Sequence, residues 1–316
     1  MIITLLDAES YGEDIDLSGF EDLGDVQYYP QTTPGEAGER IEKADIVVIN
    51  NVPLSNEQLD NAEHLKLIAI AATGMDNVDL DYCREKGIAI RNVPAYATDS
   101  VAQHTFAMLF QLLEQTSYYD HYIKTGEWSR SGNPTNLSRV FFQLSGSRWG
   151  IIGMGNIGRR VAELAAAFGC DVVYYKREGG KSVSGYEGLS LEELFKSSRI
   201  VSIHAPLTDS TYNLITAQQL LLLQQGAIIL NLGRGGILDE NALVDAIDNH
   251  GIFAGLDVFS SEPLLPDSPL LRVKHKDHLL MTPHIGFAAK EARQAVVDRT
   301  IENIRNALNS GLSRSV

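Results

Sequence analysis

The segment RWGIIGMGNIGRRVAELAAAFG constrains this 316-residue chain more than any other. An apolar, strand-like run passes through a glycine turn, Gly153 to Gly158, straight into a helical pattern. That order of elements belongs to parallel α/β architecture. Gly153 permits a tight turn, Gly155 lets a ligand approach the backbone, and Gly158 lets helix and strand pack closely. The helix opens at Asn156 and Ile157, where unpaired N–H groups and the positive dipole end suit a pyrophosphate. The turn alone also fits a plain strand–helix connection that needs glycine for packing. The strand before it and the helix after it favour a dinucleotide site.

The rest of the chain repeats the alternation. IITLL, ADIVVIN, LKLIAIAA and GIAIRNV read as strands in the first part, with helices over SNEQLDNAE, DLDYCREKG and VAQHTFAMLFQLLEQ. After RWGIIGMG come the strands DVVYY, RIVSIHA, GAIILNLG, GIFAGLDV and HLLMTPH. Helices fit SLEELFKSS, TAQQLLLL and DENALVDAIDNH between them, and AAKEARQAVVDRTIENIRNAL at the end. The pattern predicts a Rossmann-type doubly wound parallel sheet of about six strands. The polar stretch 125–147 reads as surface loop, with wrapping of a partner subunit as the other option. The acidic stretch 9–25 reads as a solvated face.

Forty-four per cent hydrophobic residues suffice for two cores, and the length suggests two domains. A net charge of −15 without a basic patch argues against nucleic acid and against an anionic membrane surface. The most apolar stretch, LITAQQLLLLQQGAIILNLG, is interrupted by glutamines and glycine, so no membrane span is expected. The start lacks a basic region and a cleavage-like segment, so no signal peptide is expected. Two cysteines, Cys83 and Cys170, fit a reducing cytoplasm better than a disulfide framework.

Three turns after strand-like runs carry reactive groups. Arg234 in NLGRGG offers a guanidinium that can clamp a carboxylate through two hydrogen bonds and stays charged when desolvated. His284 in MTPHIG can exchange a proton near neutral pH. Glu262 in LDVFSSEP is the candidate carboxylate to support an imidazolium. Singly, these fit a salt bridge, a turn histidine and a loop acid. Together with a dinucleotide turn they fit hydride transfer to a ketone beside a carboxylate. His204 in SIHAPL ends a strand at the expected cofactor crevice. His104 reads as packing or interface, and His275 and His278 as solvent-exposed. No metal site is expected. At the end of DVVYYKRE an NAD site usually has an acidic residue for the ribose hydroxyls, but here stand Lys176 and Arg177. These cations would attract a 2′-phosphate, which favours NADP. The other reading is two solvated cations beside a permissive NAD site.

Over nearly its whole length the chain resembles the D-isomer-specific 2-hydroxyacid dehydrogenase family. The resemblance rests on ATGMDNVDL, NVPAYATDSVAQ, GIIGMGNIG, HAPLTDSTYNLI, LNLGRGGILDENAL, AGLDVFSSEP and TPHIG, which occur in order. It is similar above all to the glycerate dehydrogenase or hydroxypyruvate reductase group. The resemblance implies that the Rossmann-type sheet is inserted into a second, flavodoxin-like α/β substrate domain. Residues 1–98 and 287–316 would form the substrate domain, and 99–286 the dinucleotide domain. It implies that Arg234 binds the substrate carboxylate, that Glu262 supports the histidine, and that His284 is the acid–base. Gly74 and Met75 would hold the substrate carboxylate by backbone amides. Asn156, Ile157, Lys176, His204, Pro206, Leu232, Gly233 and Arg234 would contact the cofactor, and Asp257 would lie near the nicotinamide. The implied reaction reduces a small 2-keto acid, hydroxypyruvate first and glyoxylate second, with phosphoglycerate or D-lactate specificity as alternatives. A homodimer is implied. An NAD(H)-sensing, corepressor-like binding protein is the rival from outside the enzymes.

Overall fold

The computed structural model describes residues 1–310 and divides into two compact units. One comprises Met1–Ala97 with the chain from Ala288 onward, and the other Thr98–Phe287.

The first unit is built on a parallel sheet of β1 (Ile2–Leu5), β2 (Asp25–Tyr28), β3 (Ile46–Ile49), β4 (Leu67–Ile70) and β5 (Ala89–Arg91). Its strand order, β2-β1-β3-β4-β5, is the flavodoxin-like winding. The strands alternate faces with period two. Ile46 and Val48 join Leu5 and Leu67 in one core, against Val296, Val297 and Ile304 of the helix Lys290–Asn309. Val47 and Ile49 join Ile41, Leu59 and Cys83 in the core on the opposite face.

The first unit departs from the sequence expectation in three places. The acidic stretch 9–25 is not simply a solvated face. Tyr11, Ile15 and Phe20 in it are buried against the final helix, spaced among acids that conceal them. β2 lacks an apolar run because it is a largely exposed edge strand with polar residues. The helix Pro34–Ile41 adds to the expected set; Thr33 and Glu36 form its capping box and proline stands at its start.

The second unit holds seven parallel strands: β6 (Arg148–Ile152), β7 (Asp171–Tyr175), β8 (Glu187–Leu189), β9 (Ile200–Ile203), β10 (Ile228–Asn231), β11 (Phe253–Leu256) and β12 (Leu279–Met281). Their order, β12-β11-β10-β9-β6-β7-β8, is the doubly wound arrangement with one strand added. The addition to the six expected is β8, too short to show a hydrophobic period. The winding reverses between β6 and β9, and the strand ends there flank the expected ligand crevice. Within the stretch 125–147 the structure adds a short helix, Glu127–Ser131, to the expected loop. Among the described residues, no helix is long and apolar enough to cross a membrane.

Candidate active site

β6 delivers the chain into the glycine turn. Gly153 has φ +97°, and a Cβ there would lie 2.5 Å from the Ala205 nitrogen. A Cβ on Gly158 would lie 2.0 Å from the Gly153 carbonyl oxygen, so helix and strand meet too closely for a side chain. A Cβ on Gly155 would meet nothing within 4 Å. The space beside it is open to a ligand, as a backbone–pyrophosphate approach requires. The helix Asn156–Ala167 starts there without a side-chain cap, so its first N–H groups remain for an anion.

Lys176 and Arg177 follow β7 directly. The Lys176 ammonium donates to the Ser182 hydroxyl at 3.0 Å, and the Tyr174 hydroxyl accepts from the Val183 N–H at 2.9 Å. The loop after β7 thus folds back on the strand that carries the two cations.

His204 follows β9. Trp149 Nε1 donates to Ser202 Oγ at 2.9 Å, and Ser202 Oγ lies 3.0 Å from His204 Nε2. Tryptophan can only donate, and a serine hydroxyl that accepts from it and donates its own proton to Nε2 satisfies all three groups. The imidazole proton then sits on Nδ1, a buried atom with no protein partner. An orphaned buried donor fits a ligand acceptor. Desolvation by burial pushes the His204 pKa down to about 3. Folding therefore keeps this ring neutral, while the unfolded chain protonates it below its ordinary value. Its stabilising contribution is complete above about pH 6.5 and is lost as pH falls towards 3. His204→Asn should accordingly flatten the decline of Tm between pH 7 and 4; an unchanged decline would place the acid sensitivity elsewhere. Nearby, the Pro206 carbonyl accepts from the Thr211 hydroxyl at 2.7 Å.

β10 ends in the turn carrying Arg234. Asn231 staples it: its side-chain oxygen accepts from the Gly233 N–H at 3.1 Å, and its amide donates to the Arg234 carbonyl at 3.0 Å. Leu232 is buried, and Arg234 is half-buried with Nη1 donating to the Gly233 carbonyl at 3.0 Å. A Cβ on Gly235 would lie 1.9 Å from the Phe259 carbonyl carbon. The arginine turn is therefore seated on the loop that leads to Glu262.

That loop meets the one after β12. Glu262 Oε2 lies 2.7 Å from His284 Nδ1, and its other oxygen accepts from the Phe259 N–H at 2.9 Å. Burial opposes the charge on Glu262. The His284 hydrogen bond, the Phe259 N–H and the charges of His284 and Arg234 outweigh it and hold the carboxyl below its ordinary value. His284 has φ 52°, and its N–H donates to the Thr282 carbonyl at 3.0 Å. With Nδ1 turned to the carboxylate, Nε2 is the nitrogen left to exchange a proton with a ligand.

Asp257, at the end of β11, is buried. Its carboxylate accepts from the Ile285 and Gly286 N–H groups, both at 2.8 Å, and from the Thr282 hydroxyl at 2.7 Å. His104 Nε2 lies 3.5 Å from the same carboxylate and 3.0 Å from Thr282 Oγ1. Burial disfavours the charge, but these bonds hold Asp257 below the usual carboxylate range. Asp257 and His104 thus fix the loop that carries His284. Nothing in the one-dimensional pattern joined Asn231, His104 or Thr282 to this site.

His275 is exposed as expected, but His278 is half-buried, stacked on Phe253 at 3.9 Å. No group of histidine, cysteine and acidic residues among the described residues could hold a metal. In the first unit, Gly74 and Met75 lie in the turn between β4 and the helix Leu80–Lys86. Thr73, beside them, donates its hydroxyl to the Val93 carbonyl at 3.1 Å.

The family model for the D-isomer specific 2-hydroxyacid dehydrogenase, NAD binding domain, matches residues 106–286. The chain belongs to this family. The matched residues lie in the second unit, so the dehydrogenase carries its glycine turn, Arg234, Glu262 and His284 within one nicotinamide-dinucleotide-binding domain. The dehydrogenase is 34% identical over 96% of its length to a glycerate dehydrogenase of Methylorubrum extorquens, covering 94% of that protein. It is 32% identical to a hydroxypyruvate reductase of Blautia hydrogenotrophica, over 93% of this chain and 92% of that one. A D-lactate dehydrogenase from Aquifex aeolicus, solved with NAD and lactic acid, superposes with a TM-score of 0.84 at 29% identity, over 98% of this chain and 96% of that one.

Proposed function

We propose that the chain reduces a small 2-keto acid to the D-2-hydroxy acid, with hydroxypyruvate the first substrate and glyoxylate the second. The observation that carries this reading is the 2.7 Å Glu262–His284 contact, with the Arg234 charge acting on the same carboxylate. Arg234 orients the substrate carboxylate by paired hydrogen bonds and polarises the adjacent ketone. The bound reduced nicotinamide supplies the hydride to the keto carbon. His284, as imidazolium, delivers the proton from Nε2 to the carbonyl oxygen, and Glu262 stabilises the charged ring and fixes its orientation. Gly153, Gly155, Asn156, Ile157 and Gly158 hold the pyrophosphate, and His204 Nδ1 supplies a further donor to the cofactor. A kcat/KM panel of keto acids with both reduced cofactors tests it. Hydroxypyruvate should lead. Tight cofactor binding without turnover of any keto acid would favour a dinucleotide-sensing role.

Lys176 and Arg177 support a preference for NADPH, because two cations stand where a ribose-binding carboxylate is usual. Lys176→Asp should reverse the ratio of NADPH to NADH efficiency by roughly tenfold or more, about one strong ionic contact. An unchanged ratio would mean that the two cations are simply solvated.

The reading extends to a cytoplasmic homodimer. Leu137 and Val140, 83% and 91% exposed, stand with the exposed Phe141 on the segment following the helix Thr116–Lys124. Such an apolar arm suits a second copy of the chain. Sedimentation should give a dimer and the double variant Leu137→Asp/Val140→Asp a monomer; a monomeric unaltered protein would contradict this.

A further inference from the structure

We infer that Glu240 is a positioning residue for the acid–base pair. This rests on the assignment of Glu262 and His284 made above. Glu240 opens the helix Glu240–His250, but that helix does not depend on it for a cap. Asp239 already accepts from the Asn241 and Ala242 N–H groups at 2.9 and 3.1 Å. Glu240 instead reaches out of the helix, and its Oε1 accepts from the Ser260 N–H at 2.7 Å. The preceding N–H, of Phe259, goes to Glu262. Two successive peptide N–H groups are thus each held by a carboxylate, one belonging to the reacting pair and one to the helix that follows the Arg234 turn. The backbone of Gly235 packs closely on the same peptide. A Cβ on Gly235 would stand 1.9 Å from the Phe259 carbonyl carbon and 2.3 Å from the Ser260 nitrogen.

Glu240 therefore closes a loop of contacts running from Arg234 through Gly235 and Phe259 to Glu262 and His284. Without the Glu240–Ser260 bond the 259–262 segment loses its anchor to the helix Glu240–His250, and Glu262 loses its fixed approach to the imidazole. A displacement of about 1 Å at reacting groups costs on the order of 10²-fold in rate.

Glu240→Gln keeps an acceptor oxygen and removes the charge. Glu240→Ala removes both, and Glu240→Asp keeps the charge but shortens the reach. The alanine and aspartate variants should lose about tenfold or more in kcat with cofactor Kd unchanged, while glutamine stays within about twofold of the unaltered enzyme. The second readout is the downfield Nδ1–H proton resonance of His284, identified by its disappearance in His284→Gln. It should persist in Glu240→Gln and broaden in Glu240→Ala and Glu240→Asp. Should the alanine variant fail to fold by circular dichroism, the aspartate variant carries the test. Equal defects in glutamine and alanine would overturn the inference, since charge at a distance would then be the cause. An unbroadened resonance in alanine and aspartate would overturn it as well. A resonance that responds while turnover does not would uphold the positioning role and remove the acid–base assignment instead.

Discussion

His284→Ala should lower kcat on the order of 10³- to 10⁴-fold while cofactor affinity stays within a few-fold of the unaltered enzyme. The side chain lies outside the glycine turn that holds the pyrophosphate, so its loss leaves that turn intact. It removes the only nitrogen of the Glu262–His284 pair that is turned away from the carboxylate. Fluorescence titration with NADPH and steady-state turnover of hydroxypyruvate separate the two effects. A comparable loss of cofactor binding would make His284 a binding residue instead. The pH dependence has a definite sign. Glu262 is held below its ordinary carboxyl value, so its charge and its support of the ring are present at neutral pH and fade only as pH falls below the usual glutamate range.

Arg234→Ala should lower kcat/KM by roughly 10³-fold, because one side chain both orients the carboxylate and stabilises the developing alkoxide. Arg234→Lys should recover only part of this, since an ammonium keeps the charge but not the planar fork. The turn itself should survive, because Asn231 and Gly235 set its backbone without the guanidinium. Near-normal kcat/KM with hydroxypyruvate in Arg234→Ala would remove the arginine from the site.

What the sequence made legible was whatever has a short period or a fixed chemical type. Buried strands such as IVVI and IILN announce themselves by continuous apolar runs. GMGNIG announces itself by its place between strand and helix. The family resemblance gave Arg234, Glu262 and His284 their roles, and the structure sets Glu262 against His284. The supporting contacts were not legible, because they depend on which way a peptide N–H points. The resemblance implied a place near the nicotinamide for Asp257, and its hydrogen bonds to Thr282, Ile285 and Gly286 had no signal in the sequence. Glu240 lies in an expected helix, and nothing in that pattern shows that it accepts from the Ser260 N–H. Tyr11, Ile15 and Phe20 were hidden by the charges around them, since composition averages over a stretch while burial is decided residue by residue.

A structure of the enzyme with reduced cofactor and oxamate, an unreactive keto-acid analogue, examines the account at its centre. Both carboxylate oxygens of oxamate should lie on the Arg234 guanidinium, with its carbonyl oxygen about 3 Å from His284 Nε2. Oxamate bound without touching either residue would contradict the account.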